Sequence, residues 1–244
     1  MQIVVYNDIE QRSPQAQLNL DEQLLQAAAK GDVGPTWRLW QDGQALVVTR
    51  KETHLPHFHS ASVSLHRQGW PVVVRRSGGS TLPHTAEMLQ LSLILPRGLI
   101  VVERIAQLYA WLAAPLVGLL ETYGIQVGFG EVKGAFCDGS YNLVASGHKI
   151  AGTAQRWIGG LAGVPSRQGA VLAHATLFVK GQMRAPTQAV NTFYALAGGQ
   201  PHYEERAVTT METMLQKEVQ MEEVRQKLLS ILERGDLVDA YGNL

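Results

Sequence analysis

The chain contains a single cysteine, Cys137. It stands in Gly-Ala-Phe-Cys-Asp-Gly, between Gly134 and Gly139 and next to Asp138. That is a loop composition, and reactive groups are commonly carried on loops held by a rigid scaffold. Twelve residues further on comes Lys149, in His-Lys-Ile-Ala-Gly. A thiolate is a competent nucleophile towards an acyl carbon, and an ammonium can hold the oxygen on which charge develops. Gly152, close behind the lysine, offers no side chain, so a ligand or a neighbouring backbone can approach there. A lone cysteine is most often a small buried hydrophobe. The polar, glycine-flanked setting argues instead for a working thiol, with Lys133, Lys149 or a histidine as the cation that lowers its pKa.

Positioning these groups requires a turn. Residues 141–146 and 148–155 are strand-like and flank Ser146-Gly147, which predicts a tight β-hairpin. In that register Val144 faces Lys149. Strict alternation would put Lys149, Ala151 and Thr153 on one face and Ile150, Gly152 and Ala154 on the other. Cys137 would then fall near Arg156, so the loop must fold back if thiol and amine are to meet.

A second candidate is Arg75-Arg76-Ser77-Gly78-Gly79-Ser80, where a strand runs into Gly-Gly and backbone N–H groups can face an anion or a carbonyl oxygen. The pattern GxxxxGK[ST] is absent, which excludes a P-loop. His84 and His174 are third. His174 lies inside an apolar strand, where a histidine is more often a satisfied core residue than a ligand. His54, His57 and His59 are interrupted by Pro56 and lack an accompanying carboxylate or cysteine, so no metal site is expected.

The remaining elements predict strands at 2–6, 36–41, 45–50, 71–76, 88–95 and 170–179, with 36–41 and 45–50 joined as a hairpin through Asp42-Gly43. Helices are expected at 20–30, 57–68, 99–123, 187–196 and 219–233, the last with Met221, Val224, Leu228 and Ile231 on one side. Glu222, Glu223 and Arg225 would form its solvated face. Strands in adjacent hairpins indicate an α+β fold: a mixed, largely antiparallel sheet flanked by helices. A composition shift at Gly198-Gly199 divides a body, 1–197, from a short helical extension, 198–244.

The 244 residues suffice for one large domain with a substantial core. Lysine plus arginine equals aspartate plus glutamate, so no basic footprint for nucleic acid is expected. No run approaches a membrane span: 99–120 is interrupted by Glu103, Arg104 and Gln107. Neither a signal peptide nor an internal disulfide is expected, in keeping with a reducing, cytoplasmic location.

Three stretches together resemble the biotin/lipoyl protein ligase catalytic domain, in the branch of lipoate ligases and octanoyl or lipoyl transferases. They are Arg-Arg-Ser-Gly-Gly-Ser-Thr-Leu-Pro-His (75–84), Gly-His-Lys-Ile-Ala-Gly-Thr-Ala-Gln-Arg (147–156) and Val-Leu-Ala-His-Ala-Thr-Leu-Phe-Val (171–179). They correspond in order to that family's arginine-glycine-glycine-histidine loop, its lysine strand and its late histidine strand. The resemblance spans roughly residues 20–195 and implies a mixed sheet with flanking helices. Phe-Cys-Asp-Gly-Ser-Tyr resembles the thiol loop of the cysteine-dependent members, where ATP-dependent ligases usually carry Asn-Asp. Departures include Thr85 after His84, Leu82-Pro83 before it, Ser80 in place of a third glycine, and Ala175 after His174. They weaken an adenylate pocket more than an acyl-transfer site.

The resemblance implies catalytic roles for Cys137 and Lys149, with Arg76, Ser77, Gly78, Gly79, His84, Gly152 and His174 around the substrate. The implied reaction moves an octanoyl or lipoyl group through a Cys137 thioester onto a lysine of a lipoyl carrier domain. The carrier would be a glycine-cleavage H-type protein or the lipoyl domain of a 2-oxoacid dehydrogenase E2, and an acyl carrier protein is a further candidate donor. Such a transferase needs no cofactor. The alternatives are a ligase using ATP and Mg²⁺, with Lys149 bridging the acyl carbonyl and the α-phosphate, and a non-catalytic lipoate- or acyl-carrier-binding protein.

Overall fold

A computed structural model describes residues 3–97, 105–159 and 169–234. Two sheets carry the fold. The larger has seven strands in the order β1 (Val4–Asn7), β2 (Thr36–Trp40), β6 (Met88–Pro96), β10 (Ala170–Phe178), β9 (His148–Ile158), β8 (Asn142–Ala145), β7 (Gly128–Gly130). The smaller orders β4 (Val72–Arg75), β3 (Ala45–Thr49), β5 (Leu82–His84). Among the strands of the described residues only β1–β2 and β3–β4 pair in parallel, so the fold is α+β with a mixed, largely antiparallel sheet.

The period-2 pattern of the central strands explains the layering. Leu89, Leu91, Leu93 and Leu95 of β6, with Val171, Ala173, Ala175 and Leu177 of β10, lie in one core with helices α3 (Ile105–Thr122) and α6 (Met221–Arg234). By length and composition α3 could cross a membrane, with a mean hydropathy of 1.3. Here Leu108, Leu112, Leu116 and Leu119 instead fill that core. The opposite face of the sheet meets α1 (Pro14–Lys30) through Leu25, Ala28, Ile94 and Leu172. Helices α2 (Phe58–Arg67) and α4 (Arg184–Ala197) share a further core with β3, β5 and the thiol loop.

Helix α1 begins six residues before the predicted start. Ser13 caps it by accepting from the Ala16 N–H, and Pro14 takes the first turn, where a missing N–H costs nothing. Apolar periodicity conceals this turn because its buried face is polar, with Gln17 and Asp21 ahead of Leu25. Both serve Arg38, fully buried on β2, which donates to Asp8 and Asp21 at 2.8 and 2.7 Å and also bonds Gln17. The predicted end holds: Gly31 caps the helix at φ 87°.

The expected hairpin at Asp42-Gly43 does not form. Strand β2 belongs to the large sheet and β3 to the small one, and the chain crosses between them here. A two-residue hairpin needs positive φ in its turn, and neither Asp42 nor Gly43 has it. Asp42 is buried against His84 instead. At Ser146-Gly147 the prediction holds, with φ of 47° and 82° at the two turn residues.

Residues beyond Gly198 recross the body. The short helix α5 (Met211–Leu215) leads into α6, whose Val224, Leu228 and Ile231 enter the core beside α3, with Met221 packed against it. Arg225 is not part of a solvated face as predicted. It is buried and donates to Asn7 Oδ1 at 2.7 Å and to the Asp8 carbonyl at 2.8 Å. The first part of the helix predicted at 99–123 and the end of the extension, 235–244, lie outside the described residues.

Candidate active site

The β8–β9 hairpin carries the lysine, and one irregularity decides where it points. Val144 pairs with Lys149 as the turn predicts, but Leu143 pairs with Ala151, leaving Ile150 as an extra residue. Such a bulge breaks strict alternation. Ile150 and Ala151 both enter the core beneath α3, and Lys149 turns to the other face alongside Gly152. The expected grouping of Lys149 with Ala151 and Thr153 is therefore corrected. A Cβ at Gly152 would sit 3.2 Å from Lys149 Cε and Nζ, so the room beside that glycine is taken by the lysine itself.

The thiol loop folds back to meet it. Lys149 is 0% exposed, and its ammonium donates to the carbonyls of Phe136 at 2.8 Å and Cys137 at 2.6 Å. Asn142 Nδ2 also donates to the Cys137 carbonyl, at 3.2 Å. Asp138 holds the loop from outside by accepting from the N–H groups of Val132 and Gly139. These bonds fix Cys137 at φ 47°, a left-handed conformation that costs an L-residue about 1–2 kcal/mol. Backbone strain retained in this way is concentrated at functional sites.

Cys137 Sγ receives Arg75 Nη2 at 3.2 Å and the Ser80 N–H at 3.3 Å. Burial alone pushes the thiol pKa up. The charges of Arg75 and Lys149 and the Ser80 N–H outweigh burial and hold it below the ordinary cysteine value. The same burial lowers the Lys149 pKa to about 8. Arg75 also donates to the Ser80 carbonyl at 2.9 Å, so one guanidinium fixes both the thiol and the loop that faces it.

Gly79 completes the contact. Its φ is 101°, and a Cβ there would lie 2.7 Å from Cys137 Sγ and 2.8 Å from Arg75 Nη2. Gly79→Ala is accordingly expected to retain the fold but to slow alkylation of Cys137 by iodoacetamide at least about tenfold near neutral pH. The methyl pushes the guanidinium off the sulfur, removing a charge-assisted hydrogen bond. An unchanged alkylation rate, with an unchanged thermal melt, would refute this account of the glycine.

The other predicted residues divide into those behind the thiol and those away from it. His174 Nε2 and the Ser77 hydroxyl share a hydrogen bond at 2.7 Å, both buried. Burial, Arg75 and His84 together lower the His174 pKa to about 3, so the ring is neutral at physiological pH. His84 pairs through Nδ1 with Asp42 at 2.9 Å and stands edge-on to Trp40. The Gly78 N–H reaches the Gln155 carbonyl at 3.5 Å, joining the glycine loop to β9. Arg76, with its side chain 48% exposed, turns outward to Glu22, which also holds Arg156. Lys133 and the histidines are not among the groups that lower the thiol pKa.

Sequence reasoning placed Arg76 at the substrate and passed over Arg75. Three consecutive valines, Val72, Val73 and Val74, leave alternation without a phase in the sequence; in the structure Arg75 is the buried arginine and Arg76 the exposed one. Ser80 was given no role of its own because its partner Cys137 is distant in the chain, and Asn142 because its bond to the Cys137 carbonyl depends on the loop folding back.

Comparison with known proteins gives the chain's family and the likeness of its fold. The family model described as the lipoyl protein ligase A/B catalytic domain matches residues 13–233. An octanoyl-[GcvH]:protein N-octanoyltransferase of Kyrpidia tusciae is 38% identical over 183 residues, covering 74% of this chain and 62% of that protein. A protein of the same description from Geobacillus kaustophilus is 32% identical over 179 residues, covering 72% of this chain and 59% of that protein. The chain thus spans about three fifths of the length of these curated relatives. In fold it is similar to a lipoate-protein ligase A bound with ATP, at a TM-score of 0.68 and 15% identity, covering 96% of this chain and 85% of that one. With its two sheets, its lysine strand and its glycine loop, the chain belongs to the lipoyl protein ligase A/B catalytic domain family.

Proposed function

We propose that this protein is an acyltransferase that moves an octanoyl or lipoyl group through a Cys137 thioester onto a lysine of a lipoyl carrier domain. The observation that carries the reading is the environment of the sulfur: a strained, buried cysteine with Arg75 and the Ser80 N–H on Sγ and Lys149 on its carbonyl. The activity for which the relatives are named, octanoyl-[GcvH]:protein N-octanoyltransferase, supports an octanoyl group delivered by a GcvH-type carrier and received by a second protein. An acyl carrier protein is the other donor the chemistry accepts. A reduced thiol suits the cytoplasm.

The steps balance as follows. The Cys137 thiolate attacks the donor carbonyl carbon and a C–S bond forms. The bond to the carrier breaks, and the carrier's lysine nitrogen leaves with a proton from solvent, the equivalent of the one released when the thiol ionised; a carrier thiol would leave as its thiolate. The neutral amine of the acceptor lysine then attacks the thioester carbon, a C–N bond forms, and the thiolate departs as the amine gives up a proton. Arg75 stabilises the thiolate at both ends of the cycle. Lys149 has three N–H donors and uses two on the loop carbonyls, which leaves one for the developing oxyanion. Ser77, Gly78 and Gly79 form the opposing wall, and His174 and His84 support it from behind.

An acyl group that arrives already bound to a carrier needs no activation, so ATP and Mg²⁺ are dispensable. The test is transfer from an octanoylated GcvH-type carrier to an E2 lipoyl domain in the presence of a chelator, read by mass spectrometry. Octanoylation of the acceptor without nucleotide is the expected result. Product formed only from free octanoate or lipoate with ATP and Mg²⁺ would establish the ligase instead.

A further inference from the structure

Glu52 is a buried carboxylate with no part in the steps above. It sits in a single 3-10 turn, Glu52–His54, directly after β3. One oxygen accepts from the Thr49 N–H at 2.8 Å and bonds the Thr49 hydroxyl. The other accepts from the Tyr194 hydroxyl at 3.0 Å. Tyr194, from α4, is buried and accepts in turn from the Thr81 N–H at 3.3 Å. Thr81 directly follows Ser80, whose N–H lies on the thiol.

We infer that Tyr194, oriented by Glu52, is a positioning residue for the nucleophile, fixing Thr81 and so aiming the Ser80 N–H at Cys137 Sγ. The inference rests on the reading of Cys137 as the nucleophile. Its physical content is directional. The peptide joining Ser80 to Thr81 is held at both ends, by Arg75 on its carbonyl and by Tyr194 on its N–H. Gly79 has φ 101°, outside the range that restrains other residues, so this stretch needs such fixing from outside. The Tyr194 ring is itself wedged. It packs edge-on to Phe193 at 5.4 Å and against Tyr203 at 5.9 Å, and a Cβ on Gly199 would lie 2.7 Å from it. Burial raises the phenol pKa, so Tyr194 keeps its proton and donates it to Glu52. That leaves its oxygen lone pairs for Thr81, and the two bonds polarise one another.

Because Cys137 is the only cysteine, its titration can be followed without interference. The experiment measures the iodoacetamide alkylation rate against pH, with thermal melts alongside. The unmutated protein is expected to titrate below an ordinary cysteine. Tyr194→Phe keeps the ring and removes the hydroxyl, and it should slow alkylation near pH 7 about tenfold, the worth of a hydrogen bond to a charged group. The profile should move to higher pH. Glu52→Gln is nearly isosteric. With its amide oxygen retained by Thr49 it presents an N–H to Tyr194, and it should shift the profile the same way. A role confined to packing would lower the melting temperature and leave the profile in place.

An unmoved profile in folded Tyr194→Phe overturns the inference. If that variant does not fold, an unmoved profile in Glu52→Gln does so. An ordinary thiol titration in the unmutated protein overturns it as well. The reading of Cys137 as nucleophile fails separately, if Cys137→Ala still transfers octanoyl groups.

Discussion

Cys137→Ala is expected to lower octanoyl transfer by at least about 10⁴-fold, the scale of removing a covalent nucleophile from a preorganised site. The chain's single cysteine gives the measurement its force, because a thioester has only one place to form. Incubation with an octanoylated carrier and no acceptor should add one octanoyl mass to the protein. The adduct should be released by hydroxylamine and be absent from Cys137→Ala. Cys137→Ser should form a longer-lived oxyester, since an alkoxide leaves less readily than a thiolate. Adding a lipoyl domain should discharge the thioester and move the mass to one acceptor lysine. Transfer at the normal rate by the alanine variant would leave the thiol a bystander, whatever its pKa.

Lys149→Met should fold and yet lose at least about 10²-fold in turnover, the effect typical of removing one oxyanion donor. The loss has two sources under the proposed mechanism, the oxyanion donor and the grip on the carbonyls of Phe136 and Cys137. Its pKa of about 8 adds a signature in pH. Activity should fall as pH rises through about 8, where the ammonium loses its proton. Folding stability should move the other way. Between about pH 8 and the ordinary lysine value of roughly 10.4 the unfolded chain binds a proton that the native site does not. The Lys149 contribution therefore rises across that window and is lost again as pH falls towards 8. In Lys149→Met that rise should be missing from urea melts taken across the window. A melt slope identical to that of the unmutated protein would place the lysine's titration elsewhere.

How far the site was legible depended on whether its contacts were local. The turn at Ser146-Gly147 is written in two adjacent residues, of which Gly147 adopts the positive φ its type favours and Ser146 follows it. The pairing of Val144 with Lys149 followed from it. The bulge one residue later did not, because it is set by packing of Ile150 and Ala151 under α3, which is remote in the chain. The Asp42-Gly43 signal is as strong locally as Ser146-Gly147. It failed because Asp42 has a buried partner in His84, and the chain there leaves one sheet for the other. The three family motifs located the glycine loop, the lysine strand and the histidine strand. The choice between Arg75 and Arg76 was not legible, because three consecutive valines give the two-residue period of β4 no phase. Tyr194 and Glu52 carry no such mark, since a tyrosine in an amphipathic helix and a glutamate after a strand are unremarkable until the fold joins them.

The backbone of Lys149 is not completed by its own hairpin alone. Val208 lies beside it as a parallel bridge, and the Thr209 N–H donates to the Lys149 carbonyl at 2.9 Å. During synthesis the thiol, its arginine and its lysine therefore leave the ribosome well before the segment that locks the lysine in register. Until residue 209 has emerged, the Lys149 carbonyl lacks this partner. The strand that bears the lysine is thus sealed by the chain's last third, so contacts around the thiol join segments that are synthesised far apart.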